Sequence, residues 1–112
     1  MNSLMNKIAS WHKLTFDSTE EAQWIKLKEE ETEAEECNND IDWIKEMADV
    51  CFVYSALIYR YNSEKAKSMF YAMWNPLSHL QKEDIEDELA IKFEINKNRK
   101  WEKQPDGTYH HI

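Results

Sequence analysis

Glu29, Glu30, Glu33, Glu46 and Asp49 are the residues whose types and spacing could do chemistry. Six glutamates crowd the stretch from Glu29 to Glu36. A solvated helix face would account for such a run, and helical geometry tests that account. With Ala22 at 0° and about 100° per residue, Ile25, Leu27, Ala34 and Cys37 fall at about 300°, 140°, 120° and 60°. Their mean direction is about 65°. Glu30 at about 80° and Glu33 at about 20° point with this apolar set. Glu31 and Glu35 fall at about 180° and 220°, on the far side, and Glu29 and Glu36 lie at the flank. Trp24, at about 200°, breaks the pattern and is expected to pack against another helix or subunit.

The second pair is placed by its neighbours in the chain. Val50 to Tyr59 reads VCFVYSALIY, with no charged residue. A helix apolar all the way round is buried on every side. Glu46 and Asp49 immediately precede this run and share a face at a spacing of three. Between Glu20 and Asp49 there are twelve acids and only three bases, Lys26, Lys28 and Lys45. Four inward carboxylates with so few partners repel one another, and a divalent cation relieves that. An all-oxygen ligand set favours Mg²⁺, with Mn²⁺ as substitute, over zinc or iron. The absence of an ExxH motif disfavours a di-iron bundle.

A basic segment complements the acids. Lys92, Lys97, Arg99, Lys100 and Lys103 stand against Glu94 and Glu102. Lys92, Asn96 and Arg99 share one helix face. An arginine fork and a lysine point charge both suit phosphate, although bases also offset a helix C-terminal dipole. Lys26, at about 40° on its helix, can touch a ligand or pair with Glu30 four residues on. Trp11 and His12 are candidates for stacking on, or hydrogen bonding to, a flat aromatic ligand. His79, His110 and His111 have no ligand spacing and are assigned no metal. Phe52, Tyr54, Phe70 and Trp74 are expected in the core or in subunit contacts.

The elements that must position these residues are helices. Periodicity predicts segments from about Ser3 to Lys13, Thr19 to Cys37, Ile41 to Tyr61, Ser63 to Trp74 and Lys82 to Arg99. Ser18 with Glu21 reads as a capping box, and Asp40 and Ser63 as N-caps. Asn75-Pro76 stops the fourth helix. Pro105-Asp106-Gly107, between Trp101 and Tyr109, predicts a small hairpin. The short Asn38–Asp40 joint makes the second and third helices antiparallel neighbours, with their carboxylates at similar distances from it.

Composition narrows the class. One domain over residues 1–112 is the prior for this length. One glycine and two prolines exclude folds built on glycine-rich turns, such as a Rossmann fold, a P-loop or a β-sandwich. The expected fold is all-α, an antiparallel bundle of about five helices. A net charge of −8 argues against a nucleic-acid polymer as partner. No run is long and apolar enough for a membrane span, so no membrane partner is expected. Cys37 and Cys51 read as free thiols, which with the lack of a signal peptide predicts a cytoplasmic protein.

The order Glu29-Glu30-x-x-Glu33, twelve residues, then Glu46-x-x-Asp49 resembles the EExxE…ExxD signature of MazG-like nucleoside triphosphate pyrophosphohydrolases. These belong to the all-α NTP pyrophosphatase superfamily. Lys26-Leu27 ahead of the glutamates extends the likeness. So do Lys92, Asn96, Arg99 and Trp101, then Asp106-Gly107 and His110. The resemblance spans Leu4 to His110. It implies hydrolysis of a nucleoside triphosphate to the monophosphate and pyrophosphate, with Mg²⁺ required. By motif position Glu30, Glu33, Glu46 and Asp49 would hold the metal. Glu29 would orient the attacking water or lie just outside the metal. Lys26, Lys92, Asn96, Arg99 and Trp11 would meet the substrate. The resemblance also implies a homodimer or homotetramer, which the excess apolar surface of the third helix independently favours. Two other readings are a base-selective dUTPase or dCTP pyrophosphatase of the same superfamily, and a non-catalytic helical interaction protein. The second would need its acids exposed.

Overall fold

The computed structural model describes Met1–Ile112. Its elements are α1 (Asn2–Thr15), α2 (Glu20–Glu35), α3 (Asp40–Ser55), α4 (Glu64–Trp74) and α5 (His79–Lys97), then β1 (Trp101–Lys103) and β2 (Tyr109–His111). The protein is all-α apart from this two-stranded sheet. A π-helical turn, Ala56–Arg60, continues α3.

Helix α3 is central and packs against α1, α2, α4 and α5. Its uncharged run supplies Val50, Cys51, Val53, Tyr54, Leu57 and Ile58 to one core cluster of 18 residues. Tyr54, Phe70 and Trp74 lie in that core, while Phe52 packs only partly buried against it. The π turn has a local cause. The Ser55 hydroxyl donates to Cys51 O at 2.8 Å, a back-bond that competes with the helical ladder. Tyr61 N then bonds Ala56 O, five residues back. Asn62, at φ 55°, turns the chain out of the helix.

The helix starts differ from the expected caps. Thr19, not Ser18, caps α2 by accepting from Ala22 N at 3.1 Å, while Ser18 Oγ accepts from the Gln23 amide at 2.9 Å. Asn39, not Asp40, caps α3 by accepting from Asp42 N. Ser63 caps α4 as expected. Helix α5 starts at His79, three residues before the predicted Lys82, because Ser78 and Gln81 form a reciprocal capping box.

The predicted hairpin is present, with Trp101 opposite His111 and Lys103 opposite Tyr109. Gly107 turns it at φ 85°. Three contacts tie it to the bundle. Trp101 Nε1 donates to Asn96 O, the Tyr109 hydroxyl donates to Asp17 O, and Thr108 is fully buried. Phe16, in the α1–α2 joint, packs on Trp11, His12, Trp101 and Tyr109. The hairpin is thereby held over one end of the bundle. No helix is long and apolar enough to cross a membrane.

Candidate functional site

Helices α2, α3 and α5 and the hairpin enclose a cavity of about 410 Å³. Its lining has three chemically distinct parts. Glu29, Glu30, Glu33 and Asp49 form an acidic part. Lys26, Lys92, Asn96, Arg99, His110 and His111 form a basic and polar part. His12, Phe16, Gln23, Phe52, Trp101 and Tyr109 form an aromatic and amide part.

The candidate metal site borders the acidic part: Glu30 and Glu33 line the cavity, and Glu46 lies outside its lining. One ligand oxygen each from Glu30, Glu33 and Glu46 lies within 4.8 Å of the others. Glu30 Oε2 and Glu46 Oε2 are buried without any hydrogen-bond partner. A buried, unpartnered carboxylate oxygen is costly. Such oxygens, converging from two helices, suit a hard divalent cation. Burial, then the Asp49 charge, pushes the Glu30 carboxyl up to about 7, against the pull of Lys26. Burial and the neighbouring Asp49 and Glu33 also raise Glu46. Burial raises Asp49 too, against the opposing pull of Lys92. In all three, burial outweighs the opposing charge of Lys26 or Lys92.

Asp49 lies in the same cavity but outside the group of three. Its Oδ2 accepts from Lys92 Nζ at 3.1 Å. Glu30 is buried as projected, but Glu33 is exposed. The reason is Ile25, which at about 300° is only half-buried, so the buried residues of α2 point at about 95° instead. Glu33 then lies on the rim, where its carboxylate still reaches the other two.

Lys26 Nζ stands 3.2 Å from Glu30 Oε1 and 3.6 Å from Glu29 Oε2. The expected pairing with Glu30 is present, and Lys26 also lines the cavity. Glu29 Oε2 has a second neighbour in the His110 imidazole, with Nε2 at 3.9 Å. On the opposite wall Arg99 donates to Asn96 Oδ1 and stands 3.4 Å from His111 Nδ1. Lys92, Asn96 and Arg99 thus share the cavity face that their spacing predicts.

Trp11 is placed elsewhere. It does not line the cavity, and instead packs edge-on against Phe16, Phe52 and Phe93. Phe16 is the aromatic that faces the cavity from the α1 side. Trp24 is half-buried, donates to Glu20 Oε2, and lies under Lys65 Nζ of α4. His79 stands 3.8 Å from Glu83 and does not line the cavity. Sequence reasoning missed Phe16, Gln23, Thr108, Tyr109, and the site placement of His110 and His111. Gln23 was findable, because it lies on the inward arc of α2. The hairpin residues were not, because no spacing rule relates them to α2.

A scan against protein-family models, a search of curated proteins and a search of solved structures each return no match.

Proposed function

We propose that this chain is a divalent-cation-dependent nucleoside triphosphate pyrophosphohydrolase, releasing a nucleoside monophosphate and pyrophosphate. The observation that carries this reading is the pair of buried, unpartnered oxygens, Glu30 Oε2 and Glu46 Oε2, beside a cationic wall. Neither half alone suffices. Acids alone repel a triphosphate, and bases alone give no metal site. Glu30, which faces the cavity together with the bases, and Glu46 just outside its lining suit a substrate that is polyanionic and metal-bound.

Glu30, Glu33 and Glu46 would hold Mg²⁺ or Mn²⁺, with Asp49 adjacent. The cation would supply charge neutralisation and Lewis acidity at a phosphate oxygen. The protein's own residues account for the remaining steps. Lys92 and Arg99 bind phosphate oxygens, Arg99 through its fork and Lys92 as a point charge. Glu29 Oε2 lies toward Lys26 and His110, and Oε1 would accept a proton from water. The water oxygen bonds to phosphorus and the bridging P–O bond between the α and β phosphates breaks. The aromatic part takes the base and sugar.

The working assembly in this reading is a homodimer or homotetramer, with Ile41, Trp43 and Ile44 at the start of α3 as the apolar strip to be covered. Its working compartment is the cytoplasm, where the free thiols Cys37 and Cys51 stay reduced. Light scattering that shows a stable monomer at micromolar concentration overturns the assembly.

The activity is tested on a panel of NTPs and dNTPs with and without Mg²⁺, measuring pyrophosphate and orthophosphate separately. Mg²⁺-dependent pyrophosphate with the matching monophosphate is expected. Orthophosphate as the primary product, or no turnover of any member, overturns the reading.

A further inference from the structure

The two lysines of the cavity are each held by a carboxylate of its acidic part. On α2, Lys26 Nζ stands 3.2 Å from Glu30 Oε1. On α5, Lys92 Nζ donates to Asp49 Oδ2 of α3 at 3.1 Å. Arg99, which also lines the cavity, is held differently. Its guanidinium donates to Asn96 Oδ1 and meets the His111 ring, and neither partner is a carboxylate. The cations of one cavity thus fall into two kinds. An ammonium seated on a carboxylate has its charge already engaged, and its pull on a phosphate is offset. A guanidinium with no carboxylate beside it keeps its full charge for an anion.

The lysine pair on α2 leaves half of Glu30 unused, because Oε2 is buried with no partner. Glu46 Oε2 is unpartnered too, and Glu46 shares a face of α3 with Asp49, three residues on. A divalent cation on those two oxygens would therefore bind the carboxylate that holds Lys26 and lie beside the one that holds Lys92. Like charges in a partly dry site repel strongly. Cation and lysines compete for the same acids. The lysines yield readily, since an ammonium on a flexible four-carbon stem can turn within the cavity while its helix stays in place.

We propose that Lys26 and Lys92 are exchangeable counter-ions: a divalent cation on Glu30 and Glu46 takes over their carboxylates and frees both ammonium groups for phosphate, so that the cation gates anion binding. This rests on the metal-and-phosphate reading above and assigns the regulation of that same site. Arg99 binds phosphate with or without the cation, and the lysines bind it only afterwards. The result is an order, cation before phosphate, and a positive coupling carried by two side chains. By linkage, phosphate tightens the cation by the same factor.

The test needs no nucleotide. Mn²⁺ binding is followed by electron paramagnetic resonance, and inorganic phosphate binding by phosphorus-31 NMR with and without Mg²⁺. The wild type is compared with Lys26→Met, Lys92→Met and Arg99→Met. Each lysine variant should bind Mn²⁺ alone about fivefold more tightly, because a competing ammonium is gone. The factor by which Mg²⁺ strengthens phosphate binding should fall about fivefold in the same two variants. Arg99→Met should weaken phosphate equally in both conditions and leave that factor unchanged. Lys26→Met removes only pairs within one helix, so it keeps its fold even where Lys92→Met loses it. A lysine fixed permanently on its carboxylate would give tighter Mn²⁺ with an unchanged Mg²⁺ factor, and that result overturns the proposal. So does Mn²⁺ binding in Lys26→Met that is no tighter than in the wild type. The expected pattern without turnover of any nucleoside triphosphate upholds the exchange and overturns the nucleotide reading. Turnover without the pattern does the reverse. No saturable Mn²⁺ binding in the wild type overturns the exchange together with the metal site.

Discussion

Lys92 Nζ donates to Asp49 Oδ2 across 3.1 Å, so the basic wall on α5 and the acidic face of α3 are joined by one ion pair. Both side chains are about three-quarters covered, at 24% and 27% exposure. Lys92→Met leaves the Asp49 carboxylate without its cation. Urea denaturation should show a loss of about 1–2 kcal/mol, between the values for exposed and fully buried pairs. An unchanged midpoint would mean that the pair adds nothing to stability.

The raised carboxyls make the metal-free protein sensitive to pH in a defined direction. Glu30 titrates at about 7 when folded, against an ordinary value of 4.5. Between those values the folded state binds more protons than the unfolded chain, so stability falls as pH rises. Its contribution is complete below about 4.5 and is lost as pH passes through 7. Glu46 and Asp49 are shifted the same way. In EDTA the melting temperature should therefore drop from pH 5 toward pH 8, and Glu30→Gln should flatten that slope. Saturating Mn²⁺ should restore the loss at pH 8. A melting temperature that rises over this range contradicts the assignment.

His12 acts oppositely. Its folded pKa of about 3 lies below the ordinary 6.5, so the unfolded chain binds the extra proton between them. Its contribution is present above about 6.5 and is lost as pH falls toward 3. His12→Gln should remove part of the acid destabilisation seen in a thermal scan below pH 6. An acid limb identical to that of the wild type would exclude His12 as a contributor.

Glu46→Ala removes one of the two unpartnered oxygens without touching the core cluster. Turnover should fall below detection, while the helical circular dichroism signal stays intact. Retained activity in this variant refutes the ligand set.

Gly107 at φ 85° sits 3.5 Å from the Ala22 Cβ, measured from where a Cβ of its own would stand. The space is ordinary, so the backbone conformation sets the outcome. Gly107→Ala should lose about 1–2 kcal/mol and loosen the hairpin first, as read by hydrogen exchange at Gln104 and Thr108. Equal protection in both proteins would show that the hairpin tolerates a side chain there.

The legible parts of this sequence were those set by local periodicity. The VCFVYSALIY run marked α3 as central, and one helical wheel put Glu30 inside. The same wheel errs on Glu33 because it counts Ile25 as fully inward, whereas Ile25 is only half-buried and the buried face of α2 lies further round. Trp11 was misplaced for a related reason. An aromatic at a helix end faces either core or cavity, and Phe16 took the cavity position. His110 and Glu29 meet across 81 residues of chain only because the hairpin folds back over α2, which no spacing in the sequence encodes. The caps shifted by one residue because Ser18 and Thr19, or Asn39 and Asp40, are near-equivalent cap formers.

The most direct test of the central claim is a Mn²⁺ titration followed by electron paramagnetic resonance of the free ion. The wild-type protein should bind Mn²⁺ saturably in the absence of nucleotide. Glu30→Gln and Glu46→Ala should each weaken that binding by tenfold or more, about 1.4 kcal/mol. Absence of saturable binding in the wild type, or binding unchanged in both variants, would contradict a metal site built on those two buried oxygens.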